Sequence, residues 1–341
     1  MNQSIDKHLP AFTHLIDLAA ERFGGKVLWC TDDFFAGKEN LIKPEKPIFI
    51  PEKFTERGKW MDGWESRRKR GPGHDEAVIQ LGAAGVIKGF DVDTSHFLGN
   101  QPQYCTIEAC YAPEGLKNEN GEGENWVEVL GKTMLNPGSQ HLVEASVGER
   151  ARDLVPQLFT HVKLHIHPDG GVARLRVYGE VQRDWKTVKP DGLEDLAAAQ
   201  NGALAIQCND MFFSHMNNLL MPGRGVNMGD GWETKRNRTP NNRDWVIVRL
   251  AHKGIIKKAL IDTAHFKGNY PESFTLEGCA SDSDDLSSAQ WSAIIPRTRL
   301  QAHHEHTFEQ EVACKAPVTH VRLSIFPDGG VSRLRLWGTI A

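Results

Sequence analysis

Apolar and polar residues alternate along Thr160 to Gly179, and they do so again along Thr319 to Gly338. In the first stretch Val162, Leu164 and Ile166 interleave with His161, Lys163, His165 and His167. A period of two is the mark of a half-buried strand. Pro168-Asp169-Gly170-Gly171 follows, and it carries turn chemistry: proline presets φ, aspartate bonds its own backbone and glycine accepts positive φ. Beyond it Ala173, Leu175 and Val177 take one face, while Arg174, Arg176 and Tyr178 take the other. The pattern predicts a hairpin of strand, tight turn and strand. The second stretch is identical at 14 of 20 positions and puts Arg333 and Arg335 where the first has Arg174 and Arg176.

The duplication reaches further. Asp32-Asp33-Phe34-Phe35 pairs with Asp210-Met211-Phe212-Phe213, and Asp62-Gly63-Trp64-Glu65-Ser66-Arg67-Arg68 with Asp230-Gly231-Trp232-Glu233-Thr234-Lys235-Arg236. Asp93-Thr94-Ser95-His96-Phe97-Leu98-Gly99-Asn100 pairs with Asp262-Thr263-Ala264-His265-Phe266-Lys267-Gly268-Asn269. The spacing between partners shifts along the chain, which places insertions in surface loops. Strands are expected at Ala77 to Leu81, Val86 to Val92 and Tyr104 to Ala109, with counterparts at Trp245 to Leu250, Ile255 to Ile261 and Phe274 to Leu276. Short strands punctuated by Gly, Pro, Asn and Asp favour an all-β sandwich or jelly roll over a parallel α/β sheet. Phe12, Leu15, Ile16, Leu18 and Ala19 fit one face of a short N-terminal helix. The expected organisation is a first repeat over 1–181, a linker over 182–192 and a second repeat over 193–341.

The length of 341 residues suits two domains of roughly 150 residues each. A net charge of −4 and a pI near 6.4 argue against a general nucleic-acid binder. Arg67 to Arg70 forms one basic cluster, read as a solvated or anion-facing loop. No apolar run is long enough to span a membrane, and the N-terminus lacks the features of a signal peptide. Six cysteines occur without any CxxC, and Cys30 and Cys110 recur as Cys208 and Cys279. Small inherited core positions in a reduced, cytoplasmic setting are expected.

Several repeated residues suit chemistry. Asp93 with His96, and Asp262 with His265, combine a carboxylate with an imidazole that titrates near neutrality; the alternative is that they cap a strand end. Glu65 and Glu233 sit beside a tryptophan and a basic pair, Arg67 and Arg68 or Lys235 and Arg236. Arginine's planar fork suits a substrate carboxylate, and Arg174, Arg176, Arg333 and Arg335 have the same capacity or pair with cross-strand acids. His303-His304-Glu305-His306 invites a metal reading, but only His304 and His306 share a strand face. No zinc-type spacing supports it, so no metal site is assigned; a divalent ion stays open without ligand spacing in its favour. Gly71-Pro72-Gly73 is not a nucleotide fingerprint, and no serine or cysteine nucleophile motif occurs.

The ordered motifs, each occurring twice from about Asp17 to Gly338, resemble the allantoicase family. The resemblance implies tandem jelly-roll domains similar to galactose-binding domains. It also implies hydrolysis of allantoate to ureidoglycolate and urea in purine degradation. The edge strands of a duplicated sandwich make a homo-oligomer the expectation. Met211 and Lys235 depart from the first copy's Asp33 and Arg67, which makes the first copy the better match. Allantoate carries a carboxylate and two ureido groups on one carbon. Its hydrolysis calls for Arg68 or Arg174 on the carboxylate, His96 with Asp93 for proton transfer, and Glu65 on water or the urea N–H groups. Three rivals remain: a non-catalytic small-molecule or carbohydrate-binding jelly roll, a hydrolase acting on ureidoglycolate, and a duplication that serves the fold alone.

Overall fold

The computed structural model describes residues 9–146, 158–189 and 191–341. The chain divides into two compact units, Pro10–Gln182 and Arg183–Ala341. Each is organised around a 19-residue strand, Asp75–Asp93 in the first and Asp244–Asp262 in the second. Two separate strands were expected in each place. The chain instead runs through without a break and changes layer at its middle.

In the first unit the early half of Asp75–Asp93 pairs with Lys26–Cys30 and with Phe159–His167. Phe159–His167 continues to Tyr104–Cys110, and that strand to Val127–Met134. The late half pairs with Arg174–Val181 and Gln140–Glu144, and Arg174–Val181 with Ile16–Asp17. The result is a two-layer antiparallel sandwich whose layers share one strand. The bend falls at Gly82–Gly85, where a Cβ on Gly82 would lie 2.4 Å from the Phe23 carbonyl oxygen and one on Gly85 2.8 Å from that of Glu180. Backbone approaches that close admit only glycine. Ile79, Phe90, Val92, Leu164 and Leu175 are all fully buried between the layers, each contributing about 1.5–3 kcal/mol.

The expected hairpin does not form. Phe159–His167 and Arg174–Val181 lie in different layers and pair with opposite halves of the long strand. The Pro-Asp-Gly-Gly turn carries the chain from one layer to the other. Nor is Phe159–His167 half-buried: His161 and Lys163 are covered too, His161 Nδ1 lying 2.8 Å from Thr160 Oγ1 and Lys163 over the Trp126 ring. The expected N-terminal helix shrinks to one 3₁₀ turn, Ala11–His14, because Ile16–Asp17 joins the sheet. Asp17 Oδ1 holds that edge by accepting from the Val177 and Ala19 N–H groups.

The second unit repeats this plan around Asp244–Asp262, with Leu204–Cys208, Val318–Phe326, Ser273–Cys279 and Ser292–Arg299 on one side of the bend. Arg333–Ile340, Glu305–Phe308 and Glu194–Asp195 lie on the other. One difference matters for function. Phe35 and Phe213 are 178 residues apart, but Asp62 and Asp230 only 168, so the first copy carries ten extra residues between these motifs. That segment includes a small hairpin, Phe54–Thr55 with Gly58–Lys59.

Candidate active site

Both ends of the long strand come to the same end of the sandwich, because the layer-crossing turn joins the partner of Asp75 (Ile166) to the partner of Asp93 (Arg174). The repeated motifs gather at this turn. Gly171 pairs with Glu65, Val172 with Trp64, and Glu65 is bridged on its other side to Ala36. Gly170 has φ 134°, and a Cβ on Gly171 would lie 1.9 Å from the Phe97 ring, which explains the paired glycines. Glu65 is thus fixed on a two-residue strand between the turn and the Phe34–Phe35 segment.

Its side chain meets Asn100, whose Nδ2 donates to Glu65 Oε1 at 2.7 Å, while the Asn100 carbonyl accepts from Gly171 N–H at 2.8 Å. The second copy repeats the pair, Asn269 Nδ2 to Glu233 Oε1 at 2.5 Å. Burial raises both carboxyls above the ordinary glutamate range, and the amide hydrogen bond only partly offsets this. A half-buried carboxylate with raised proton affinity is suited to general-base work. Asn100 escaped the sequence reading, although its recurrence as Asn269 after each His-Phe was the available signal.

The four strand arginines serve the fold. Arg174 is buried and donates through Nη2 to Asp62 Oδ2 at 2.8 Å, and through Nη1 and Nε to the Asp62, Ala173 and Glu45 carbonyls. Arg333 does the same with Asp230, Gly223, Asn218 and Ser332. Arg176 binds Asp17 and the Pro44 and Glu45 carbonyls, and Arg335 the Met221 and Gly223 carbonyls. Of the two readings left open for these arginines, the contacts favour pairing with acids: the guanidiniums clamp the segments before Asp62 and Asp230 to the sheet. Arg67 is held by Asp32 at 3.0 Å. Arg68 and Arg236 are exposed and make no side-chain hydrogen bond or ion pair among the described residues.

In each expected Asp–His pair the carboxylate bonds a backbone N–H. Asp93 Oδ1 accepts from Ser95 N–H at 2.7 Å, and Asp262 Oδ1 from Ala264 N–H at 2.8 Å. These bonds tighten a turn in which His96 and His265 adopt φ of 71° and 70°. His96 Nε2 lies 3.2 Å from the Pro47 carbonyl, and its ring stacks on Phe49. His265 Nε2 lies 2.8 Å from the Gly225 carbonyl. The carboxylates hold the turn, and the imidazoles reach the Pro47 and Gly225 carbonyls.

Beside Glu65 in the first copy is an open cleft of about 390 Å³ lined by Asp33, Phe34, Phe35, Thr55, Glu56 and Arg57. Arg57 comes from the extra hairpin, bonds the Phe34 carbonyl at 3.1 Å and lies over the Phe34 ring, with Arg67 at the same distance from that ring. Cover from this hairpin leaves Phe34 and Phe35 each 37% exposed, against 63% and 62% for Phe212 and Phe213. The first copy is the more enclosed.

Asp91 lies behind the site on the face of Asp93. Burial, with the neighbouring Asp93 charge, pushes its carboxyl up to about 6 against the hydrogen bond from Gln140 and the charge of Arg176. Its Oδ1 has no hydrogen-bond partner among the described residues. The folded form therefore binds its proton more tightly than the unfolded chain. This stabilises at low pH and is lost as pH rises through about 6. Asp91→Asn is expected to raise stability near pH 7.5 by roughly 1–3 kcal/mol in urea melts, with the gain vanishing at acid pH.

Of the two histidines that share a strand face in the His303–His306 run, His306 is otherwise engaged. His306 Nε2 accepts from Gln301 N–H at 2.8 Å and its Nδ1 lies 3.0 Å from the Ile261 carbonyl. His141 repeats both bonds, with Asn136 N–H and the Val92 carbonyl. Both rings brace a loop, and neither has a nitrogen left for an ion.

Fold and site together define a tandem β-sandwich protein in which each copy presents a carboxylate–carboxamide pair at one end. The allantoicase repeat matches this chain at residues 16–182 and 194–341. The chain belongs to the allantoicase family. It is 49% identical over 341 residues to a protein of Burkholderia mallei named "Probable allantoicase 1", covering 98% of both chains. It is 48% identical to a "Probable allantoicase" of Pseudomonas fluorescens, over 97% of this chain and 98% of that one. The crystal structure of allantoicase from Saccharomyces cerevisiae superposes with a TM-score of 0.78 at 36% identity, over 99% of this chain and 93% of that one.

Proposed function

We propose that the protein is an allantoicase: it hydrolyses allantoate to ureidoglycolate and urea. The single observation that carries the reading is the Glu65–Asn100 pair, a carboxylate of raised proton affinity beside an open cleft. In this mechanism Arg68 binds the substrate carboxylate. Glu65 takes a proton from water as the water oxygen bonds to the central carbon. His96 delivers a proton to the departing ureido nitrogen as the carbon–nitrogen bond breaks, releasing urea. Asp93 positions His96 through the turn it caps. The reaction proceeds in the cytoplasm, in keeping with six free thiols; among the described residues no helix is long and apolar enough to cross a membrane.

Allantoate and ureidoglycolate supplied separately to the purified chain distinguish this reading from its nearest rival. Urea is expected at least tenfold faster from allantoate. Equal rates, or urea from ureidoglycolate alone, would transfer the activity to the second compound. The pH profile carries a further expectation. A base must be unprotonated, so kcat/KM rises with pH through the Glu65 value. Asn100→Ala removes the bond that lowers that value, and the acid limb is expected to move to higher pH. An unmoved limb would separate Glu65 from the rate-determining proton transfer.

A further inference from the structure

On the outer face of the first copy, three metal-ligating side chains converge where the sequence spacing gave no hint of a site. His74 immediately precedes the long strand and Glu76 is its second residue, and the strand register places His165 directly opposite Glu76. His74 Nε2 and His165 Nδ1 are 3.0 Å apart, His165 Nδ1 and Glu76 Oε2 3.1 Å, and His74 Nε2 and Glu76 Oε2 3.6 Å. Bond lengths of about 2.0–2.1 Å to zinc put tetrahedral ligand atoms about 3.3 Å from one another, so the triangle already has the dimensions of a coordination face.

We propose that His74, Glu76 and His165 bind a divalent transition-metal ion, of which Zn²⁺ is the leading candidate, with the remaining position open to water. Two imidazoles and one carboxylate are a donor set that suits this class of ion and leaves it incompletely coordinated. The surroundings are those of a ligand shell. His165 Nε2 lies 2.9 Å from Glu108 Oε2, the carboxylate–imidazole contact that turns the other ring nitrogen toward a metal. The His74 ring stacks on His167 at 4.4 Å, and His167 on Tyr104 at 4.4 Å, which holds the His74 ring in place. All three ligands are partly exposed, so an ion reaches them from solvent.

The second copy supplies an internal control. Arg243, Trp245 and Ser324 occupy the three positions, on strands of the same length and register. Glu277, in the place of Glu108, pairs with Arg322 at 2.8 Å. The cluster is therefore not needed to form this sheet. It belongs to the first copy alone and is independent of the hydrolytic reading.

The test is binding. The full chain, stripped with a chelator, is titrated with ZnCl₂ by calorimetry and with CoCl₂ by visible absorption. The expected result is one saturable site per chain, with d–d bands of tetrahedral Co²⁺ and a melting temperature raised by Zn²⁺. His165→Ser and His74→Arg use residues the same fold accepts in the second copy, and they are expected to abolish the site while the protein stays folded. Glu108→Gln is expected to weaken it about 10–100-fold. Absence of one-to-one binding by the wild-type chain, or affinity unchanged in His165→Ser and His74→Arg, would overturn the proposal.

Discussion

Arg174→Ala is expected to destabilise the first unit by about 3–5 kcal/mol, the cost of leaving one partner of a buried ion pair without the other. The Asp62 carboxylate is nearly buried, and Arg174 is its closest cation at 2.8 Å. Truncation also strands the Glu45, Asp62 and Ala173 carbonyls. A loss of this size lowers the melting temperature by roughly 6–20 °C in a unit of this length. The pH dependence carries the same signature. Burial alone would raise the Asp62 carboxyl, but the Arg174 bond, the Ile48 N–H and the Arg174 and Lys43 charges together take it below the ordinary aspartate value. Its stabilisation is therefore present above that value and lost as pH falls through the lowered one. Thermal melts of Arg174→Ala across this range check both points. A substrate clamp would behave differently, raising KM with an unchanged melt.

Glu65→Gln is the other large change, with turnover expected to fall by about 10²–10⁴-fold. Glutamine keeps the size of the side chain, and its carbonyl oxygen still accepts from Asn100, so the strand pairing with Gly171 and Ala36 has no reason to shift. What disappears is the ability to accept a proton. The loss is expected in kcat, with KM changed little, because the proposed mechanism leaves the substrate carboxylate to Arg68. Circular dichroism of the variant should match the parent. An unchanged kcat in a folded variant would remove Glu65 from the chemistry.

The duplication and the all-β class were legible in the sequence because period-two stretches and turn residues recur in the same order in both copies. The joining of Asp75–Asp93 into one bent strand was not. Gly82 and Gly85 read as breaks, whereas they are the points where backbone from the other layer comes too close for a side chain. The turn at Pro168 misled for a related reason. Local chemistry specifies a reversal of direction but not whether the returning strand pairs with its predecessor or crosses to the other layer.

The repeated Asp-Gly-Trp-Glu context is what singled out Glu65, whose role remains the proposal above. The arginines stayed open between two roles because repetition marks a buried clamp and a binding group alike; Arg174 and its partner Asp62 recur together as Arg333 and Asp230. The carboxylates of Asp93 and Asp262 suggested acid–base pairs, yet their nearest donors are the backbone N–H groups two residues on. The His74–Glu76–His165 cluster was beyond any spacing rule, since its two histidines are 91 residues apart and meet only through strand register.

The most direct test of this account compares urea release from allantoate by the wild-type chain, Glu65→Gln and Glu233→Gln at saturating substrate. The wild type is expected to release one urea per allantoate, Glu65→Gln to lose nearly all of that rate, and Glu233→Gln to keep most of it. No urea from the folded wild type, or a full rate from Glu65→Gln, would contradict it.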